Sequence, residues 1–206
     1  MLINLMQLKK RHQLDIRGVI HIGAHHGQEY SDYKLCGIHN IVFIEPSPEA
    51  FKVLSAKMTT KSEVRLFNVA CGSSYQEATM FTETANQGQS NSLLRPEKHT
   101  LYYPTIEFKG TQTVEVTPLD SILLDKPLYN MMNIDVQGYE LEVLRGSEGT
   151  LPGIDYLYLE VNISELYEGC AKLSEIDNFL SDFIRLDTLF TGEGWGDAFY
   201  IRRSLL

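Results

Sequence analysis

Val19-Ile20-His21-Ile22-Gly23-Ala24-His25-His26-Gly27-Gln28 is the stretch that decides the fold. Residues 19–22 carry no carboxylate, Lys or Arg and are mostly β-branched, as expected of a strand buried on both faces of a parallel sheet. The strand stops at Gly23, and residues 28–35 follow with helical spacing. A strand, a glycine turn and a helix place backbone N–H groups at the carboxyl edge of a sheet, where open α/β sheets bind ligands. Gly23 and Gly27 are expected to let a ligand approach the backbone closely.

Outward from this unit, short apolar runs alternate with helices, the signature of βαβ repeats around a parallel sheet. Residues 41–44 read as a strand ending at Glu45-Pro46. Residues 48–58 read as a helix capped by Ser47, with Phe51, Leu54 and Met58 on its apolar side. Residues 64–69 form a third strand, while 78–81 and 112–116 alternate like antiparallel or edge strands. Residues 131–134 and 156–161 are buried strands, followed by helices at 139–145 and 173–183, and 198–201 is the last strand. The predicted architecture is a doubly wound α/β fold with a mostly parallel sheet.

The 206 residues suit one domain. Residues 1–17 read as an N-terminal helical extension, with Leu2, Leu5, Met6 and Leu8 on one side, and 18–206 as the domain proper. Residues 83–111 break the rhythm: they are polar, then aromatic at Tyr102, Tyr103 and Phe108. An irregular insertion of that length reads as a substrate loop. With residues 191–197, which contain Trp195, it is expected to frame an acceptor pocket; aromatic cover for the core is the other reading. Cys36, Cys71 and Cys170 are odd in number and scattered, which argues for reduced thiols over a disulfide or zinc framework. A net charge of −9 speaks against nucleic acid as a partner. No apolar run is long enough for an integral membrane span, and the N-terminal basic residues follow the apolar ones, the reverse of a secretory leader. A cytoplasmic location is therefore expected, and a homo-oligomer is compatible with it.

Four predicted strand ends carry polar residues: His21, Glu45, Asp135 and Glu160. Glu45 lies about 20 residues beyond the glycine turn, where a ribose-binding acid is expected; a cap on the following helix is its plain alternative. Asp135 opens Asp135-Val136-Gln137-Gly138-Tyr139-Glu140 and is either a helix cap or a residue at a reactive centre. His25 stands where the dinucleotide fingerprint has its second glycine, which speaks against a nucleotide-binding oxidoreductase. Asp135, Glu160 and Asn162 together would suit a divalent cation such as Mg²⁺, although their spacing is not metal-specific.

These segments, in order, resemble the FkbM family of methyltransferases over residues 18–201. The matching segments are Gly23-Ala24-His25-His26-Gly27, Glu45-Pro46-Ser47-Pro48, Asn68-Val69-Ala70-Cys71-Gly72, Asn91-Ser92-Leu93, Thr117-Pro118-Leu119-Asp120 and residues 134–146. His21 and Gln137 depart from the family, which has carboxylates at both positions. The resemblance implies a class I methyltransferase fold with seven strands and helices on both faces. It also implies S-adenosylmethionine over His21, Gly23, Ala24, His25 and Gly27, its ribose on Glu45, and its adenine near Ser47 and Ala70-Cys71. The methyl group would point at Asp135, Gln137 and the loop of Asn91. Oxygen methylation of a small-molecule or glycan hydroxyl follows, with Asp135 or His25 as the base and Asn91, Ser92, Glu160 and Trp195 near the acceptor. A non-catalytic S-adenosylmethionine-binding or scaffold protein is the alternative of a different class.

Overall fold

The structure, a computed structural model, describes residues 1–122 and 125–206. Its first half contains α1 (Leu5–His12), β1 (Gly18–Ile22), α2 (Tyr30–Leu35), β2 (Asn40–Ile44), α3 (Pro48–Met58), β3 (Val64–Phe67), β4 (Ala70–Cys71) and β5 (Gln76–Glu83). The second half contains α4 (His99–Tyr102), β6 (Phe108–Thr117), β7 (Met131–Ile134), α5 (Glu140–Arg145), β8 (Tyr156–Asn162), α6 (Leu173–Phe179), β9 (Phe183–Phe190) and β10 (Trp195–Arg202).

Seven strands form the main sheet in the order β3-β2-β1-β7-β8-β10-β9. β3, β2, β1, β7 and β8 pair in parallel, and β10 runs antiparallel to both its neighbours. Because successive side chains in a strand point to opposite faces, alternate residues feed two separate cores. Ile20, Ile22, Val42, Ile44, Met132 and Ile134 pack on one side with Val143 and Leu144 of α5 and Ile176 of α6. Val19, Ile41, Phe43 and Met131 pack on the other with Leu5 and Leu8 of α1, Tyr33 of α2, and Leu54 and Met58 of α3. Helices thus cover both faces, as the sequence pattern requires.

The alternating segments around 78–81 and 112–116 do pair antiparallel, as β5 and β6 of a second sheet ordered β4-β6-β5. Three expectations are corrected. The helix expected to reach residue 183 ends at Phe179, and β9 follows it. β9 escaped notice because its burial shows no clean alternation, as befits an edge strand with partly exposed faces. In α1, Leu5 and Leu8 are buried, whereas Met6 is 48% exposed, and Leu2, which precedes the helix, is 39% exposed. Residues 1–3 turn instead toward the carboxyl edge of the sheet, where Ile3 N–H donates to the Tyr158 hydroxyl (2.9 Å) and Leu2 N–H to the Asp197 carboxylate.

The third correction concerns the glycines. Gly23 has φ +84°, and a β-carbon there would lie 1.7 Å from the Asp135 carbonyl oxygen. At Gly27, φ +69°, it would meet Leu54 Cδ1 at 2.8 Å and Met58 Cε at 2.9 Å. Both glycines make room for the protein's own packing; Gly27 lies off the cavity at the sheet's edge, whereas Gly23 borders it. Gly23→Ala must therefore displace backbone and should lose at least ~2 kcal/mol in urea unfolding. Gly27→Ala, which displaces only flexible side-chain ends, should lose less; equal losses would refute the distinction.

Candidate active site

A cavity of about 320 Å³ opens at the carboxyl ends of β2, β1, β7 and β8 and the start of β10. Ligand pockets typically begin at roughly 300 Å³. Neighbouring strands lie about 4.8 Å apart, so the four steps from β2 to β10 span roughly 19 Å. That is room for a donor and an acceptor side by side.

At the β2 end, Glu45 is 6% exposed and borders the cavity. Its carboxylate accepts from His25 N–H (2.7 Å) and Ser47 N–H (2.8 Å). Burial pushes its pKa up to about 7 against the pull of those two amides. Asn68 holds the strand end by donating to the Glu45 carbonyl (2.8 Å). Ala70 and Cys71 line the cavity beside it; Gly27 and Ser47 do not. Ser47 instead caps α3, its hydroxyl accepting from Ala50 N–H.

The turn after β1 is internally satisfied. Gly23 and Ala24 N–H both donate to the Ile44 carbonyl (2.9 and 3.1 Å), and His26 N–H to Gln28 (3.1 Å). His25, with φ 46°, occupies the left-handed conformation that glycine usually takes. Its ring is engaged at both nitrogens, Nε2 with the Gln87 carbonyl (2.8 Å) and Nδ1 with Gln28 (2.8 Å). His25 is thus a latch between the turn and the inserted segment.

Between β1 and β7, His21 is buried at the cavity wall, its Nδ1 facing the Tyr33 hydroxyl at 3.1 Å. Asn133 Nδ2 donates to that hydroxyl (2.7 Å) and faces His21 Nε2 at 3.4 Å. Burial lowers the pKa of His21, with the charges of Glu29 and Asp135 opposing. It serves as a neutral hydrogen-bonding residue at this strand end.

The centre of the site is the turn after β7. Gln137 adopts φ 56° and Gly138 φ 99°. The Gln137 amide nitrogen donates to Asp135 Oδ1 (2.8 Å) and Glu160 Oε2 (2.5 Å), and its Oε1 accepts from the Tyr167 hydroxyl (2.9 Å). Its carbonyl accepts from Ser92 Oγ (2.7 Å), which ties the insertion to the turn. Glu140, fully buried, accepts from Val136 and Gly138 N–H (3.1 Å each). Burial pushes the Glu140 carboxyl up to about 7, with Asp135 adding to the rise. Burial, reinforced by the charges of Asp135 and Glu140, holds Glu160 well above the usual carboxylate range. The sequence signal for Glu140 was available, since a Glu shortly after a turn can bond back to its amides. Tyr167 and His99, which also line the cavity, had no motif to announce them.

Asn91, Ser92 and Trp195 reach the cavity, as does Tyr103, while Tyr102 is 46% exposed and lies off it. Ser92 Oγ is committed to the Gln137 carbonyl and to Leu94 N–H (3.0 Å). Glu29, Glu45, Asp135, Glu160 and Asp197 border the space, and among the described residues no Lys or Arg does. The expected cation set of Asp135, Glu160 and Asn162 is not assembled: Gln137 lies between the two acids, and Asn162 is buried away from the cavity lining. No group of three or more His, Cys, Asp or Glu suited to a metal occurs among the described residues. Such an acid-lined space suits a positively charged donor such as a sulfonium. No described helix is long and apolar enough to cross a membrane.

The family profile for the methyltransferase FkbM domain matches residues 21–186. A curated protein, the 2-O-methyltransferase NoeI of Sinorhizobium fredii, is 29% identical over 146 residues, which are 68% of this chain and 60% of that protein. The chain thus spans about three fifths of the relative it matches. Among solved structures, a ribosomal protein L11 methylase of Lactobacillus delbrueckii subsp. bulgaricus superimposes with a TM-score of 0.53 at 10% identity, covering 95% of this chain and 76% of that one. Fibrillarin of Aeropyrum pernix, with natively bound S-adenosyl-L-methionine, gives 0.50 at 12% identity over 89% and 66%. At such identities these structures establish the class I methyltransferase fold and nothing finer.

Glu140 gives a pH-dependent prediction. A pKa raised from 4.5 to about 7 means that the folded state holds the proton more tightly, so unfolding releases it. Stability should fall as pH rises from about 4.5 to 7 and then level off. Glu140→Gln keeps an oxygen acceptor for Val136 and Gly138 and should flatten part of that fall in urea unfolding between pH 5 and 8. An unchanged slope would refute the assignment.

Proposed function

The chain belongs to the FkbM methyltransferase family, and from that premise we propose that it moves a methyl group from S-adenosylmethionine to a hydroxyl oxygen of a sugar, polysaccharide or secondary metabolite. The observation that carries this reading is the pairing of Glu45 with the Asp135–Gln137–Glu160 cluster, two strands apart at the rim of one acid-lined cavity. The relative named as a 2-O-methyltransferase supports oxygen as the acceptor atom.

When bound, S-adenosylmethionine supplies a methyl group on a positively charged sulfur, already activated for in-line displacement. Glu45 would hold the ribose hydroxyls through carboxylate lone pairs left free by its two amide partners. Ala70 and Cys71 would flank the adenine, and Ala24 and His21 would wall the donor. Positioning is the main contribution, worth roughly 7–11 kcal/mol where the geometry is near-attack. Asp135 would take the proton of the acceptor hydroxyl whose oxygen receives the methyl group, since the neighbouring Gln137 amide cannot accept one. His25 is less suited to that role, because both its ring nitrogens are occupied.

An oxidoreductase reading is disfavoured by the same turn. A dinucleotide needs free N–H groups and no nearby negative charge for its pyrophosphate. Here the amides of residues 23–26 all donate within the protein, and acids line the space. A non-catalytic binding protein is the reading that Gln137, in place of an acid, keeps open; labelled-methyl transfer to a hydroxyl-bearing acceptor panel decides between them.

Glu45→Ala should weaken S-adenosylmethionine binding at least about tenfold by calorimetry, the loss of charge-assisted hydrogen bonds being worth that much; unchanged affinity would remove its ribose role. Asp135→Asn should keep donor affinity and lower kcat by about 10²–10⁴-fold. A kcat within a few-fold of wild type would exclude Asp135 as the base.

A further inference from the structure

The wall of the cavity beyond Glu160 has no part in holding the donor. His99, the first residue of α4, borders it at 5% exposure. Its Nδ1 is enclosed without a partner among the described residues. Buried polar groups are almost always paired, so an unpaired imidazole at a cavity wall calls for a partner that arrives from outside. The ring is held by aromatic neighbours: Tyr103 at 5.0 Å between centroids, Phe108 edge-on at 5.3 Å and Tyr167 at 5.4 Å. Burial lowers the pKa of His99, keeping the imidazole neutral and able to both donate and accept.

Two further observations give this wall a specificity. Trp195 is fixed by its indole N–H donating to the Tyr103 hydroxyl (2.7 Å), presenting a rigid aromatic surface to the same space. Such surfaces suit the C–H face of a saturated ring. Tyr167 links the wall to the reactive cluster through its hydroxyl bond to Gln137 Oε1 (2.9 Å). The charged side chains that border the cavity are acidic: Asp135, Glu160 and Asp197 lie there, no described Lys or Arg does, and the Met1 ammonium at its edge already faces Glu29 (3.9 Å). A phosphate or carboxylate brought here would be desolvated beside like charges, with no described Lys or Arg to pair with.

We propose that His99, Tyr103, Tyr167 and Trp195 form the acceptor subsite, that His99 hydrogen-bonds an acceptor hydroxyl, and that the site selects an uncharged hydroxylated ring while rejecting acceptors that carry carboxylate or phosphate. This deepens, and rests on, the methyltransferase reading.

The test uses the full chain, labelled S-adenosylmethionine, and a panel of methyl hexopyranosides and short neutral oligosaccharides, each paired with its uronic acid or phosphorylated counterpart. Neutral members should be methylated, with charged counterparts lower by about a hundredfold or more in kcat/KM. Equal turnover of the charged set would overturn the selectivity. His99→Phe keeps the aromatic packing and should raise acceptor KM at least about tenfold, with a smaller effect on kcat. His99→Gln should recover part of that loss. Affinity for S-adenosylhomocysteine by calorimetry should be unchanged in both variants, which shows that they are folded. An acceptor KM unaltered by His99→Phe would remove His99 from the subsite. If S-adenosylhomocysteine binds the wild type and no neutral ring is methylated, the acceptor proposal falls alone. If S-adenosylhomocysteine does not bind at all, the methyltransferase reading falls with it.

Discussion

The carboxyl ends of β1 and β7 come so close that a single β-carbon on Gly23 would lie 1.7 Å from the Asp135 carbonyl. Asp135 N–H completes the contact by donating to the Ile22 carbonyl (3.0 Å). Every feature of the site depends on this approach. It sets Asp135 beside the turn that follows β1, and it fixes where the chain must bend after β7. Only two consecutive left-handed residues, Gln137 and Gly138, make that bend. Glycine bears such a conformation without strain, whereas Gln137 does so at a cost that its four hydrogen bonds offset.

Those bonds explain how the protein keeps several acids together in a small buried space. Isolated buried carboxylates are expensive, and neighbouring ones repel. Around Asp135, Glu140 and Glu160 the donors are neutral, and no described Lys or Arg borders the cavity. Gln137 gives its amide hydrogens to both Asp135 and Glu160. Glu140 is satisfied at one oxygen by two backbone amides, and burial holds the Glu160 carboxyl well above the usual carboxylate range. A glutamate at position 137 would add a fourth acid to this group and would have to find donors of its own. Glutamine at this position therefore keeps a further acid out of the centre while supplying its hydrogen-bond scaffold. His21, neutral and tied to Tyr33 and Asn133, has the same effect at the neighbouring strand end.

The insertion closes the arrangement. Ser92 bonds the Gln137 carbonyl, Gln87 bonds His25, and the Ser90 carbonyl shares the Tyr167 hydroxyl proton (3.0 Å) with Gln137 Oε1. The polar composition of residues 83–111, which marks them as a loop in the sequence, serves these cross-links. His99 and Tyr103 come with the same segment, so one insertion both braces the reactive turn and supplies a wall of the cavity.

Much of this was legible in the residues alone, because local patterns set it. Strands buried on both faces leave no choice but continuous apolar runs, and the β1, β2, β7 and β8 runs stand out for that reason. Glu45 and Asp135 were found because strand ends in this topology converge on one edge. β9 was missed because an edge strand need not alternate, and Leu2 and Met6 were misplaced because helical spacing does not reveal which stripe finds a partner. The sequence also could not say that Gly23 and Gly27 serve packing, that the amides of their turn are spent within the protein, or that Gln137 would bridge two acids. Nor could it single out His99. Each of these depends on which distant side chain or carbonyl lies within 3 Å, and such distances exist only once the sheet has assembled and brought residues far apart in sequence to a common edge.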